Sequence, residues 1–409
     1  MQQIPFHNIY KGLFDGPHAT PKPSDSGPIF LGIKNITEDG QLDLSTKRFI
    51  SEEEYPKWTK RVIPVPGDIV FSYEATLHRY AVIPEGFRGC LGRRMALIRP
   101  DYTKVDKDYL FSYFFSPGWR NEVNKHILSG ATVDRIPLTK VPDFEISIHP
   151  LPLQKKIGNV LRSYSKLIEN NNRRIAILED MAQSLYREWF VNFRYPNHKE
   201  NLDADGNPKL VDSPLGQIPE GWEVKPLGEL VEFKRKTIKK GSVPGNTPYM
   251  GLEHFPRKSI ALSDWEEVSE IGSNKLAFFR GDILFGKIRP NFHKVGVAQV
   301  DGLCSSDTFV LSPKEIKHHS LIAMVTFSNE FVAQAVQTAQ GSKMPRASWD
   351  VLQDFSVCIP DPKALECFNS VVTLAIEQIR VLSLKNRNLK QQRDMLLPKL
   401  ISGQIELKD

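Results

Sequence analysis

The residues whose order comes closest to a catalytic motif are found at 281–287. The sequence Gly-Asp-Ile-Leu-Phe-Gly-Lys matches the beginning of a P-loop, in which backbone amides and a lysine hold nucleotide phosphates. The next residue is Ile288, where a P-loop has the Ser or Thr that ligates Mg²⁺. The corresponding sequence at Gly67 lacks the second glycine and the lysine. A β-turn is therefore favoured, and a nucleotide-binding enzyme is kept as an alternative.

Other catalytic and metal-binding patterns are missing from the sequence. It contains no His-Glu-x-x-His, no Gly-x-Ser-x-Gly and no Pro-Pro pair, so the usual amino-methyltransferase motif is absent. The stretch from Pro142 to Ser147 is similar to a nuclease motif but lacks its lysine. The cysteines are scattered without paired metal spacing, which predicts reduced thiols and no metal site: Cys90, Cys304, Cys358 and Cys367. We therefore expect a protein that is not an enzyme by itself.

Composition predicts a soluble, cytoplasmic protein with more than one domain. The chain has 409 residues, and its hydrophobic content of 40% is sufficient for two or three cores. No run approaches the ~18 consecutive apolar residues of a membrane span, and the N-terminus has no secretory pattern. A net charge of +6 permits a polyanionic partner, although solvated lysines explain the same charge.

The two halves of the chain share landmarks in the same order. Gly-Asp-Ile at 67–69 recurs at 281–283, an offset of 214, and Asp143-Phe144 recurs as Asp354-Phe355, an offset of 211. Ordered matches with a slowly falling offset indicate an internal duplication with small loop deletions in one copy. Each copy is a strand-rich, turn-rich stretch followed by a long helical run.

These helical runs have the residue spacing of a coiled-coil seam. From Ile157 to Trp189, apolar residues recur at alternating steps of four and three, with Asn171 as the polar exception. The helical run that contains this seam, Leu153 to Phe193, spans about 60 Å at ~1.5 Å per residue, too long for an ordinary core helix. The same spacing recurs 211 residues later, from Phe368 to Leu400, in a run that contains Asn386.

The two runs fit each other as an antiparallel intramolecular coiled coil. In the matching register Ile157 faces Leu400, Ile168 faces Leu389, and the two asparagines face each other. A matched buried Asn pair fixes register, whereas an unpaired buried amide costs stability. The alternative is a pair of unrelated amphipathic helices with similar seams.

These patterns together predict an α+β fold of two β-rich domains, joined by two long helices in a pseudo-twofold duplication. The expected boundaries are 1–150 for the first domain, 151–194 for the first helix, 195–220 for a Pro/Gly/Asp-rich linker, 221–362 for the second domain and 363–403 for the second helix.

Several short sequences, taken in order, carry a family resemblance. They are Asp15-Gly-Pro-His-Ala-Thr-Pro21, Leu185-Tyr-Arg-Glu-Trp-Phe-Val-Asn-Phe-Arg194, Ser213-Pro-Leu-Gly-Gln-Ile-Pro-Glu-Gly-Trp222, Gly286-Lys-Ile-Arg-Pro290, Gly341-Ser-Lys-Met-Pro-Arg346 and Leu396-Leu-Pro-Lys-Leu-Ile-Ser-Gly403. With the duplicated order of domain and helix, the whole chain resembles the specificity (S) subunit of Type I restriction-modification enzymes. Tyr73-Glu-Ala-Thr76 does not copy Lys287-Ile-Arg-Pro290, as expected of variable target-recognition domains.

The resemblance implies a non-catalytic reader of double-stranded DNA. Each domain would be a target-recognition domain, and the paired helices would fix the gap between two unlike half-sites of a bipartite, asymmetric target. Partners would supply the chemistry: methyltransferase (M) subunits, two in number, using S-adenosylmethionine, and restriction and translocation (R) subunits using ATP and Mg²⁺. This chain would hold no cofactor and contact no membrane.

Given the resemblance, DNA contacts are expected from polar and basic side chains in loops next to predicted strands. Arg and Asn form paired hydrogen bonds to guanine and adenine edges, whereas Lys more often neutralises phosphates. The candidates in the first domain are Tyr73, Glu74, Thr76, His78, Arg79, Arg93, Arg94, Thr132 and Arg135. Those in the second are Lys287, Arg289, Asn291, His293, Lys294, Ser342, Lys343 and Arg346. A solvated charged loop is the alternative for each.

The outer helix faces are the expected docking surfaces for the M subunits. Trp189, Phe190 and Phe193 are candidate anchors because large aromatic side chains are favoured at interfaces. The alternative is that they close the end of the coiled coil against a domain. For the whole chain, the alternative function is a coiled-coil scaffold whose basic loops are incidental.

Overall fold

The computed structural model describes residues 1–129, 133–202, 206 and 209–407. Its contacts divide the chain into two compact units: unit 1 is Met1–Lys166 with Lys390–Asp409, and unit 2 is Leu167–Leu389. The long helices Leu151–Tyr186 and Pro362–Ile401 contribute residues to both units. Each unit therefore has a core that combines a β-rich domain with parts of both helices.

Unit 1 is organised around the strand Ile69–Ser72, which is buried along its whole length. This strand pairs antiparallel with Met95–Pro100 on one side and Tyr80–Val82 on the other. Helix Lys107–Tyr113 begins where the Asp106 carboxylate accepts hydrogen bonds from two backbone amides of the first turn. The strands described in unit 1 are Gln2–Pro5, Tyr10–Asp15, Ser24–Leu31, Ile69–Ser72, Tyr80–Val82, Gly89–Leu91, Met95–Pro100, Leu128–Ser129, Asp134–Arg135 and Glu145–Ile148. The shorter α-helices described there are Tyr55–Trp58, Lys107–Tyr113 and Pro117–Lys125.

Unit 2 repeats this arrangement around the buried strand Ile283–Gly286. That strand pairs antiparallel with Val295–Ala298 and Thr308–Pro313. The strands described in unit 2 are Leu210–Ser213, Gly216–Pro219, Glu223–Pro226, Val231–Lys234, Thr237–Ile238, Gly241–Met250, Ala261–Leu262, Glu266–Ile271, Lys275–Phe278, Ile283–Gly286, Val295–Ala298, Gly302–Cys304, Thr308–Pro313 and Ser356–Ile359. Its shorter α-helices are Leu227–Leu230, His319–Phe327, Asn329–Gln337 and Trp349–Leu352. The α+β fold with two β-rich domains is confirmed.

The long helices pair in the register that the sequence predicts. In unit 2, Asn171 Nδ2 donates to Asn386 Oδ1 at 2.8 Å, and both residues are 5% exposed. Further along the same pairing, the ring centroids of Trp189 and Phe368 lie 5.8 Å apart. From the first contact to the second, the residue number rises by 18 in the first helix and falls by 18 in the second. The helices are therefore antiparallel in unit 2, as predicted.

In unit 1 the ends of the same helices contribute to the core. Ile157 and Leu161 from the first helix lie in one buried cluster with Leu397, Leu400 and Ile401 from the second. Ile157 and Leu400 thus share a core, as the predicted register requires.

The helix ends differ slightly from their predicted positions. The first α-helix ends at Tyr186 and continues as a π-helical turn, Arg187–Val191, whereas the sequence predicted helix to residue 194. Phe193 then adopts a left-handed conformation with φ of 53°, which turns the chain away from the helix. The second helix ends at Ile401, two residues before the predicted end.

The second long helix is also long and apolar enough, by length and composition alone, to cross a membrane. Its most apolar 18-residue window has a mean hydropathy of 1.3. Phe368, Val372 and Ile379 of this helix are buried in the core of unit 2. In all, 33% of the window is buried, so packing within the chain covers part of its apolar surface.

Candidate nucleic-acid interface

In unit 1, backbone hydrogen bonds hold together three of the chain segments that carry predicted contact residues. Tyr73 N donates to Arg94 O at 3.2 Å, and Ala75 N donates to Asp134 O at 2.9 Å. Ile136 N donates back to Tyr73 O at 2.7 Å. Residues 73–75, 93–94 and 134–136 therefore form one assembly, which we call the unit 1 loop frame.

Unit 2 contains an equivalent assembly. Lys287 N donates to Asp307 O at 2.8 Å, Arg289 N donates to Pro345 O at 2.8 Å, and Ala347 N donates to Lys287 O at 3.0 Å. These bonds join residues 287–289, 306–307 and 345–347, the unit 2 loop frame. Each bond has its counterpart in unit 1, at offsets of 214, 213 and 211 along the three segments. The two frames are thus copies of one backbone arrangement.

Both frames follow a strand that begins at the same turn. Gly67 and Gly281 each have φ of 90°, a conformation that favours glycine. The next residue is a buried aspartate in each case, and it forms an ion pair inside its unit: Asp68 with Arg99 and Asp282 with Lys234, both at 2.8 Å. These aspartates therefore hold the turn, and the strand that follows carries the chain into the frame.

The segment that follows the Gly281 turn differs from a P-loop because it is a paired β-strand. Ile283–Gly286 lies in the middle of a sheet and its residues are paired with strands on both sides. In a P-loop these amides would be free to bind phosphate. Lys287 Nζ instead donates to the Ser306 carbonyl at 2.7 Å. The alternative of a nucleotide-binding enzyme is not supported by this geometry.

The predicted contact residues of unit 1 differ in exposure. Thr76, Arg93 and Arg135 are exposed, and Glu74, His78, Arg79 and Arg94 are partly exposed. Tyr73 is only 6% exposed and packs in the core of unit 1, so we leave it out of the proposed contacts. Thr132 lies outside the described residues. Ion pairs hold the Arg94 guanidinium 2.9 Å from the Glu74 carboxylate and link Arg79 to Glu38.

In unit 2 most of the predicted residues are accessible. Arg289, Asn291, Ser342, Lys343 and Arg346 are exposed, and Lys287 and Lys294 are partly exposed. His293 is 5% exposed, and its Nε2 lies 2.9 Å from the carbonyl oxygen of Phe327. It therefore stabilises the loop from inside, and we leave it out of the proposed contacts.

Burial shifts the protonation of several of these groups. It lowers the pKa of His78 and of His293 from the usual 6.5, so both rings are neutral at pH 7. Burial also lowers the pKa of the Lys287 amine, an effect that the Asp307 carboxylate opposes. The two histidines therefore contribute no positive charge at pH 7, and both frames carry arginines, whose planar group suits paired hydrogen bonds.

The structure adds contact candidates that the sequence did not single out. Asp307 lies in the unit 2 frame, where its Oδ1 is 3.2 Å from Arg346 Nε. Arg235 is exposed, and its charge contributes to lowering the pKa of Lys287. The basic run at 234–240 was a sequence signal for Arg235, whereas Asp307 could have been found only by aligning the two halves.

The aromatic residues proposed as partner anchors are placed inside unit 2. Trp189 and Phe190 are 9% and 5% exposed, and both rings contact Phe368. Phe193 is partly exposed and packs edge-on against Trp222. The arrangement favours the alternative, closure of the helix end against a domain, because buried rings are not available to a partner.

Among the described residues, no group of three or more His, Cys, Asp or Glu side chains has an arrangement suited to a metal ion. Cys90, Cys304 and Cys358 are buried free thiols, and Cys367 is an exposed one. Burial raises the pKa of the Cys90 and Cys304 thiols to about 12. The thiols of Cys90 and Cys304 are therefore protonated and act as packing residues, not as nucleophiles.

Comparisons with known proteins agree with the duplicated architecture. The family model described as "Type I restriction modification DNA specificity domain" matches residues 28–180 and 219–365. The MjaIX specificity subunit of a Type I restriction enzyme from Methanocaldococcus jannaschii is 24% identical over 400 residues, covering 93% of this chain and 84% of that protein. The HindI specificity subunit of a Type I restriction enzyme from Haemophilus influenzae is 21% identical, and the match covers 92% of this chain and 95% of that protein. The crystal structure of an S subunit from M. genitalium, 13% identical, has a TM-score of 0.56, and the match covers 100% of this chain and 96% of that one.

Proposed function

Because this chain belongs to the Type I restriction-modification DNA specificity family, we propose that it is the sequence-reading subunit of such a complex and binds a bipartite DNA target. In this role it is a soluble, non-catalytic DNA-recognition component. Each β-rich domain would read one half-site through its loop frame. The target would be asymmetric, since the two frames have the same backbone and different side chains.

The observation that carries this proposal is the pair of loop frames. In each unit, segments that are far apart in sequence are brought together by equivalent backbone hydrogen bonds. The frames present exposed Arg93 and Arg135 in unit 1, and Arg289 and Arg346 in unit 2. Arginine is the side chain best suited to guanine edges and also binds phosphates. Two arginine-bearing loop clusters held by backbone hydrogen bonds, one per domain, suit a two-part reader of duplex DNA.

We further infer that the length of the helix pair sets the gap between the half-sites. The helices comprise 36 and 40 residues, and the Asn171–Asn386 hydrogen bond fixes their register in unit 2. Half-site spacing in DNA-binding proteins follows from the separation of the reading elements. Removing one matched heptad from each helix should therefore shorten the gap in the target while leaving both half-site sequences unchanged.

The proposed partners follow from the family. M subunits using S-adenosylmethionine would methylate the target, and R subunits using ATP and Mg²⁺ would translocate and cut DNA. Two M subunits, one for each half of the duplication, are part of the proposal, as is a cytoplasmic location. This chain would contribute recognition and no cofactor.

The decisive experiment is co-expression with the methyltransferase subunit of the same system, followed by mapping of methylated adenines across the host genome. We expect one bipartite motif with two unlike halves and a constant gap. Purified complex should bind that sequence with an affinity that falls steeply with salt, because phosphate contacts release counterions. A purified complex that adds no methylation and shows no sequence preference would favour a coiled-coil scaffold instead.

A further inference from the structure

The two loop frames have the same backbone, but charged side chains occupy different positions in them. In the first segment, Glu74 of unit 1 corresponds to Ile288 of unit 2. In the second segment, Arg94 corresponds to Asp307. The backbone carbonyl of each accepts a hydrogen bond from the backbone N–H of the first residue of its frame, Tyr73 or Lys287. A donor in one half-site reader is thus replaced by an acceptor in the other.

The third segment carries the same residue in both units. Arg135 and Arg346 are exposed, and each forms an isolated β-bridge with the first segment, to Glu74 and Ile288. A side chain that is identical in two readers of different sequences is suited to the part of DNA that does not vary with sequence. We therefore assign these arginines to phosphate contacts, which position the protein without specifying bases.

We propose that the equivalent position occupied by Arg94 and Asp307 determines base preference in the two half-sites. Arg94 would donate to a guanine, whose major-groove edge has two acceptors. Asp307 would accept from the exocyclic amino group of a cytosine or an adenine, which are the bases that offer a donor there. This inference rests on the proposed function and adds the residues that make the halves unlike.

The local structure keeps both side chains in place while leaving them accessible. The side chains of Arg94 and Asp307 are 33% and 32% exposed. Each has one ion-pair partner within its frame, Glu74 for Arg94 and Arg346 for Asp307. A guanidinium has five N–H donors and a carboxylate about four acceptor sites, so a single ion pair leaves each group with capacity for a base.

The backbone at Arg94 is a second, independent observation. Its φ of 71° lies in the left-handed region, where residues other than Gly, Asn and Asp are uncommon. Such a conformation costs of order 1–3 kcal/mol and concentrates at functional sites. Glycine would adopt it without strain, so the presence of an arginine at this position is consistent with a role for its side chain.

The test uses the full chain purified with its methyltransferase partner and a set of duplexes based on the target from methylation mapping. Each base pair of both half-sites is randomised in turn, and bound sequences are counted. We expect Asp307→Asn to reduce the preference for one base by about tenfold at one position of one half-site. Arg94→Gln should do the same at one position of the other half-site. Asp264→Asn, an exposed carboxylate of unit 2 outside the frame, is the matched control and should change neither.

The outcomes separate the inference from the proposed function. Unchanged preference at every position in Asp307→Asn, or an equal loss in both half-sites, would overturn the inference. If this variant does not fold, as shown by its melting curve, Asp307→Asn with Arg346→Gln removes both members of the ion pair and is judged by the same readout. A wild-type complex without any bipartite target refutes the proposed function itself, so wild type is included in each experiment.

Discussion

The buried asparagine pair provides a quantitative test of the helix register. Asn171 Nδ2 donates to Asn386 Oδ1, and Asn386 Nδ2 donates to Asn172 Oδ1, both at 2.8 Å. Asn171 and Asn386 are buried, whereas Asn172 is exposed. The perturbation is a double-mutant cycle in which Asn171 and Asn386 are changed to Ala, singly and together.

The expected magnitude follows from which polar atoms lose their partners. Each single change leaves a buried amide of the other asparagine without its hydrogen bond, at a cost of about 1–3 kcal/mol. The double change removes both buried amides, and Asn172 remains free to bond with water. The double variant should therefore be more stable than the sum of the single effects implies, by roughly 1–2 kcal/mol.

The assay is urea unfolding followed by far-ultraviolet circular dichroism and tryptophan fluorescence. Asn172→Ala is the matched control, since it removes an exposed asparagine of the same helix turn and should cost less than about 0.5 kcal/mol. Replacing Asn171 and Asn386 together by Leu should keep or raise stability, because apolar seam residues pack well, while loosening the register. Additive single effects, or a large loss of stability in the Leu pair, would refute the pairing.

Three further predictions concern single residues. Glu179→Ala should cost about 2 kcal/mol in urea unfolding because Ile260 N loses its acceptor, whereas Glu179→Gln should cost much less. Since burial lowers the pKa of His293 below 6.5, the unfolded state binds more protons, so thermal stability should fall as pH drops through 6.5 and below, with a smaller dependence in His293→Gln. Arg135→Gln changes an exposed arginine that is not an ion-pair partner of Arg94 or Asp307, so it should weaken binding similarly for all half-site sequences and reduce the slope of log affinity against log salt by about 1, as measured by titration at several salt concentrations.

The parts of the fold that depend on periodicity were predictable from the sequence. The seam spacing and its matched asparagines give the antiparallel register, which the Asn171–Asn386 hydrogen bond confirms. The repeated Gly-Asp-Ile sequence identifies the same turn in both halves, and both glycines have φ of 90°. Local spacing is sufficient for such features because a helix or turn is defined by neighbouring residues.

Features set by long-range packing were not accessible in this way. Tyr73 and His293 lie in polar stretches of sequence, yet both are buried, because their loops fold back onto a core. The contact of Trp189 with Phe368 follows from the predicted register, whereas the contact of Phe190, which lies off the seam, with the same ring does not. The convergence of the loop segments rests on backbone hydrogen bonds between residues up to 63 positions apart, such as Ile136 and Tyr73, for which the sequence carries no periodic signal.

The construction of the loop frames from main-chain hydrogen bonds has a consequence for how the protein can evolve. Every residue except proline supplies the same N–H and carbonyl groups, so most substitutions at these positions leave the frame bonds intact. We therefore expect substitutions of exposed side chains in the frames to cost little in folding, while the buried strand, the turn aspartates and the helix seam remain constrained. If the frames read DNA as proposed, new recognition preferences would arise by point mutation with the same architecture retained.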